Sequence, residues 1–226
     1  MGRTRIKRAK RAKARKALPD TAEKTKGRRQ LNKEDKLRRI KAAARALFTT
    51  KGYDETNMRE IAKRAGVALG TPFSYAADKR DLLFLTLNDE LEDAAVRAAD
   101  AVKEGAPVRD NLLNGFRVVY ELFGREPRLA RLALREMQFY QAGPQAARFL
   151  QTRDRMIALA VRSIEIAQRN GEIARSEDSR LVGMVVFSSF QMAIRLWLMH
   201  ERARVDDGMG ELACFIDIIL KGLAPP

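Results

Sequence analysis

Residues 65–83 read AGVALGTPFSYAADKRDLL, and the reading of the whole chain turns on Pro72 within them. Just before this stretch, NMREIAKRA (residues 57–65) has the marks of a short amphipathic helix. Asn57 can accept from the amide of Glu60 while the Glu60 side chain bonds back to the Asn57 amide, a reciprocal pair that fixes a helix start. Met58, Ile61, Ala62 and Ala65 fall on one face, leaving Arg59, Lys63 and Arg64 on the other. Gly66 can take the positive φ of a helix exit, and Val67 can turn back into a core. A second short helix over 71–77 conflicts with Pro72, which lacks the amide donor that a helix interior uses. The conflict is resolved if Thr71 caps and Pro72 takes the first helical position, where no donor is needed. Residues 68–70 then form an irregular or 3₁₀-like lead-in, and the unit is helix, tight turn, helix.

Outward from this unit, helical periodicity continues almost everywhere. Leu37, Ile40, Ala44, Leu47 and Phe48 recur at helical spacing until Gly52. Further helices are expected over 79–103, 108–124, 127–141, 145–170, 178–202 and 208–222, separated by EGAP, REP, AGP, NGE and VDDG. No run alternates as a strand would. The expected fold class is all-α with about nine helices, an N-terminal three-helix domain over 31–88 and a C-terminal helical domain over 89–226.

The 226 residues carry a formal net charge of +15, and residues 1–30 account for most of it, with 13 Lys or Arg against Asp20 and Glu23. This segment has too few apolar residues to offset the entropy of ordering and reads as a basic disordered tail. It is either a solvated extension or an arm that binds phosphates without sequence preference; anionic lipid headgroups are a weaker third possibility. No apolar run follows the basic start, so secretion is not expected. A single cysteine, Cys214, suits a reducing cytoplasm. With His200 the only histidine, neither zinc spacing nor a histidine-based triad is available. No cofactor or metal site and no enzymatic activity are expected.

The segment ARALFTTKGYDETNMREIAKRAGVALGTPFSYAADKRDLL resembles the DNA-binding domain of the TetR family of bacterial transcriptional regulators, most often ligand-responsive repressors. Matching elements run from Leu37 to about Leu83: Leu47, Phe48, Gly52 and Tyr53, then REIAKRAGV, then Gly70 and Thr71, then DKRDLL. The resemblance implies a cytoplasmic bacterial homodimer that places its third helix in the major groove of double-stranded DNA and reads a palindromic operator. It implies that Asn57 meets a phosphate, that Arg59 reaches a base edge, that Thr71 and Tyr75 contact backbone or bases, and that Lys79 meets a phosphate. Leu69, Phe73 and Ser74 complete the expected reading surface. Each of these has a structural alternative: Asn57 as a helix cap only, Arg59 as a solvated charge, Tyr75 as a core residue. Two departures from the family pattern are Phe73, where a tyrosine is usual, and Ala76, where an aromatic is common.

The resemblance also implies a small apolar or amphipathic effector, with Phe116, Tyr120, Phe123, Met137, Phe139, Tyr140, Phe149 and Trp197 as candidate pocket residues. Residues 181–199 form a nineteen-residue run with Arg195 its only charge, close to the about 20 residues of a membrane span. Arg195, Gln191 and two serines interrupt it, and a helix that is apolar nearly all round is better explained by burial on two sides, one of them a partner subunit. The expected dimer interface is Val185, Phe187, Phe190, Ile194, Leu212, Phe215, Ile216 and Ile219. A nonspecific, tail-driven nucleic-acid-binding or nucleoid protein is the alternative function.

Overall fold

The computed structural model describes residues 21–223, and these form eight α-helices and one 3₁₀ turn, with no strand among the described residues. The helices are α1 (Thr21–Thr50), α2 (Met58–Ala65), α3 (Lys79–Asp100), α4 (Val108–Arg125), α5 (Pro127–Met137), α6 (Ala146–Asn170), α7 (Ser179–Met199) and α8 (Val205–Lys221). The 3₁₀ turn is Pro72–Ser74. Residues 1–20, with most of the expected tail, lie outside the described residues. Residues 21–30 correct that expectation, since they extend α1.

The helix starts and stops follow local chemistry. Both halves of the Asn57–Glu60 capping box form, and Gly66 closes α2 at φ 62°; such a cap is worth about 1 kcal/mol. Asp78 caps α3 by accepting from the Asp81 amide at 2.7 Å, and Gly171 ends α6 at φ 79°. Two boundaries differ from the sequence pattern. α5 stops at Met137 because Arg80, from α3, takes the carbonyls of Glu136 and Gln138, so the chain leaves the helix as a loop. α8 begins at Val205, so VDDG forms its first turn rather than a separator. Asp206 and Asp207 suit a first helical turn, and Gly208 is a packing residue: a Cβ there would lie 2.5 Å from Trp197 and 2.6 Å from Tyr120.

Helix α3 joins the two parts of the molecule. Its first turns pack on α1, and its remainder lies against α4 and α6, with α7 and α8 layered outside those two. The buried core is continuous from Ile40, Phe48 and Ile61 in the N-terminal part to Phe116, Ile164 and Leu212 in the body. Ion pairs fix the angle between the parts. Arg45 of α1 holds Glu90 of α3 at 2.5 Å and Glu126, between α4 and α5, at 3.1 Å. Asp89 takes Lys41 of α1 and Arg148 of α6. Exposed pairs of this kind contribute up to about 1 kcal/mol each, so their main effect is orientation.

Candidate nucleic-acid interface and ligand cavity

The N-terminal head is built on α2, whose Ile61, Ala62 and Ala65 are buried while Arg59, Lys63 and Arg64 face solvent. Arg39 of α1 donates to the carbonyls of Ala65 and Gly66 at 2.9 and 3.2 Å, fastening the turn from below. After the turn, the Ala68 carbonyl accepts from the Thr71 amide at 2.9 Å, and Thr71 and Pro72 accept from Ser74 and Tyr75 at 3.0 Å. These are successive three-residue turns. Pro72 does occupy the first position of the element, buried beneath it. The Thr71 side chain makes no capping bond, contrary to expectation, and Thr71 itself has helical dihedrals. With the Pro72 donor missing, Ala68 is satisfied by the residue before it, and the expected helix over 71–77 contracts to one 3₁₀ turn.

That turn presents Phe73, 52% exposed, beside Ser74, with Leu69, 49% exposed, on the lead-in. Thr71 and Tyr75 are half-buried, and the Tyr75 hydroxyl donates to the Lys33 carbonyl at 3.3 Å. Ala76, where the family often has an aromatic, is buried. Arg59 and Asn57 are exposed on the same head. Lys79 has other work: its ammonium donates to the carbonyls of Tyr53 and Asp54 at 2.8 and 3.3 Å and lies 4.3 Å from the centre of the Tyr53 ring. It clasps the α1–α2 connection, and a phosphate would have to share its remaining donor capacity.

In the body, a half-open cavity of about 310 Å³ is bordered by α3 to α7 and the α5–α6 loop. Its walls include Leu91, Phe123, Phe149, Met156, Phe187 and Phe190, and its polar groups include Thr152, Gln191, Arg153 and Arg195. Of the expected pocket residues, Phe123, Met137, Phe139, Tyr140 and Phe149 are present. Phe116, Tyr120 and Trp197 are not; they build the core next door. Phe116 stacks on Phe190 at 4.3 Å, Tyr120 tilts against Trp197 at 4.8 Å, and the Trp197 indole donates to the Arg204 carbonyl at 2.7 Å. Arg195, the lone charge of the apolar run, is a cavity residue. It stands on the most apolar helix, lines the cavity, and its only described hydrogen bond is to the Gln191 carbonyl of its own helix at 2.7 Å. With Leu134 and Gln138 it also borders an open groove flanked by Arg131 and Arg135.

The other side of α7 is exposed and apolar. Leu181, Met184, Val185, Met192 and Met199 lie along it, and Ile218 of α8 is exposed as well. Of the expected interface residues, Val185 is exposed and Phe215 and Ile219 are half-buried. Phe187, Phe190 and Ile194 correct the expectation, since they face inward and line the cavity. Leu212 and Ile216 are likewise buried in the subunit core. α7 is long and apolar enough to cross a membrane, but one flank packs on α6 and α8.

Residues 40–85, from within α1 through the 3₁₀ turn to the start of α3, match the family model of bacterial regulatory proteins of the tetR family. The head is therefore similar to the DNA-binding domain of the tetR family of bacterial regulatory proteins. The chain is 25% identical over 176 residues to the fatty acid metabolism regulator protein of Bacillus subtilis, covering 75% of the chain and 87% of that relative. It is 41% identical over 59 residues to the transcriptional regulator HbdR of Aromatoleum, covering 26% of each. The structure of Thermus thermophilus FadR, a TetR-family repressor in complex with lauroyl-CoA, superposes with a TM-score of 0.62 at 23% identity, covering 84% of this chain and 96% of that one. That likeness extends the shared fold through the C-terminal helices.

Proposed function

We propose that this regulator is a dimeric repressor that reads a palindromic operator and leaves it when an amphiphile with an acyl chain and an anionic head, of the acyl-CoA kind, fills the body cavity. The observation that carries the effector class is the cavity itself: an apolar interior of about 310 Å³ with Arg195 and Arg153 among its lining residues. An acyl chain suits the aromatic and aliphatic walls. A carboxylate, the phosphates of a coenzyme A moiety or another anionic head suits guanidinium groups, which bind such oxygens in pairs. The Thermus thermophilus relative in complex with lauroyl-CoA supports the same class.

The operator is read by Arg59 from α2 and by Leu69, Thr71, Phe73 and Ser74 from the turn. Arg59 can pair with the O6 and N7 of a guanine, and the exposed Phe73 and Leu69 offer apolar contact to thymine methyls. Asn57 and Tyr75 combine structural bonds with proximity to the backbone. The partner subunit docks through Leu181, Met184, Val185 and Met192 of α7 together with Phe215 and Ile218 of α8. A bound effector shifts the protein away from DNA only by favouring the arrangement that cannot span both half-sites; equal binding to both arrangements changes nothing.

Selection of bound sequences from a random DNA pool tests this reading. The expected result is one enriched palindrome whose half-sites are spaced by about one helical turn or a multiple of it. Recovery of no common sequence, with binding that simply follows salt concentration, would support the nonspecific nucleic-acid-binding alternative instead.

A further inference from the structure

Asp81 sits in the first turn of α3, is 1% exposed, and has no cation among its hydrogen-bond partners. Burying a carboxylate is costly unless several donors are aimed at it, and here three are. The amide of Ala77, at the exit of the DNA-facing turn, donates to Oδ2 at 2.9 Å. The amide of Gln145, at the start of α6, donates to Oδ1 at 2.9 Å, and the Tyr140 hydroxyl donates to that same oxygen. A single carboxylate therefore ties the reading head to the α5–α6 loop.

The loop closes on Asp81 from both ends. Gly143, at φ 114°, approaches so nearly that a Cβ would lie 2.5 Å from Oδ1. The Gln145 side chain donates to the Tyr75 carbonyl at 3.3 Å, a second tie to the DNA-facing segment. Arg80 holds the other end of the loop by the Glu136 and Gln138 carbonyls, with its guanidinium 5.1 Å from the Tyr140 ring centre. Tyr140 is both part of this knot and part of the cavity wall, stacked on Phe84 at 4.0 Å. Its neighbour Phe139 has φ 56°, a left-handed conformation that costs a non-glycine residue about 1–3 kcal/mol, and its side chain is 86% exposed. Packing of that ring does not offset the strain, so the loop holds energy that opening would release.

We infer that Tyr140, Asp81 and the Ala77 amide form a latch through which occupancy of the cavity reaches the reading head. This rests on the proposed function in taking the cavity as the effector site. A ligand that displaces the Tyr140 ring withdraws its hydroxyl from Asp81, relaxes Phe139, and leaves a buried carboxylate short of a donor. Asp81 then turns toward water and lets go of Ala77, three residues beyond Ser74 of the reading turn. Tyr140 and Asp81 are positioning residues; neither touches DNA. The latched form is the DNA-competent one, and the effector favours the open form.

Tyr140→Phe in the full chain tests the latch, since it keeps the ring and the Phe84 stack and removes only the hydroxyl. Hydrogen–deuterium exchange read by mass spectrometry, without ligand, should be about tenfold faster in peptides containing Ala77 and Gln145, as expected for a lost bond to a charged group. Half-release from the selected operator should need about tenfold less lauroyl-CoA than wild type, because the variant is already partly unlatched. A tyrosine serving only as cavity wall would leave the required concentration unchanged or raise it. Exchange at Ala77 equal to wild type in the ligand-free protein would overturn the latch. If lauroyl-CoA fails to release even the wild-type protein, the effector class is wrong, and the ligand-free exchange comparison still decides whether the latch exists.

Discussion

Replacing Met184 and Val185 together by glutamate is expected to convert the protein to a monomer and to weaken operator binding by about 10²–10⁴-fold. Both side chains are exposed, so the subunit loses no internal packing. They border a shallow apolar groove shared with Leu181, Ser188, Met192 and Phe215. Placed on a two-fold axis, each new carboxylate would be buried near its own copy, and unpaired buried charge is among the strongest destabilising changes available to an interface. Loss of the dimer makes binding of the second half-site a separate encounter, which forfeits the effective-concentration factor of about 10²–10⁴. Light scattering coupled to size exclusion reads the first effect, against a subunit mass of 25.5 kDa. A variant that stays dimeric and binds the operator with wild-type affinity would place the partner elsewhere.

Gly183→Ala is expected to lower the melting temperature by about 3–10 °C, whereas Gly210→Ala raises it slightly. Both glycines lie inside helices, where alanine is intrinsically better by about 1 kcal/mol. Contact decides the sign. At Gly183, on α7, a Cβ would lie 2.8 Å from the Val161 amide nitrogen and 2.9 Å from its Cα, so the backbones of α6 and α7 would have to separate. Overpacking of this sort costs about 1–3 kcal/mol or more, and a chain of this size loses about 2–4 °C for each kcal/mol. At Gly210, on α8, a Cβ would meet nothing within 4 Å. Calorimetry on both variants separates the two effects; equal shifts of the same sign would contradict the close approach of α6 and α7. The same approach lets one helix serve as cavity wall on one flank and leaves the other flank free for the proposed partner subunit.

Local signals made the head readable in advance. The Asn57–Glu60 pair, Gly66 and the position of Pro72 each act within a few residues, and each appears where the spacing put it. The extent of the reading helix was not readable to the same degree. Whether a proline-started element continues past one turn depends on what holds its exit, and that is Asp81, whose partners at 140 and 145 come from a distant loop. In the body, periodicity marked α7 as buried on two sides but could not say which side was which. Phe187, Phe190 and Ile194 share the helix with Met184 and Val185, and only the placement of α4 and α6 turns the first set to the cavity. The role of Arg195 is not legible in the sequence, because a lone charge in an apolar run is only an interruption until a cavity lies beside it. Gly208 has the look of punctuation for a similar reason, since the rings that exclude a side chain there belong to Trp197 and Tyr120.

In the proposed mechanism, filling the body cavity with an anionic amphiphile removes the protein from its operator. Fluorescence anisotropy of the selected palindrome, titrated with lauroyl-CoA, free coenzyme A and lauric acid, tests it most directly. Lauroyl-CoA is expected to release the DNA at low concentration, free coenzyme A to have no effect, and Arg195→Gln to raise the lauroyl-CoA requirement by about tenfold or more, as expected for a charge-assisted contact. Retention of the palindrome at saturating lauroyl-CoA, or release by free coenzyme A alone, would contradict it.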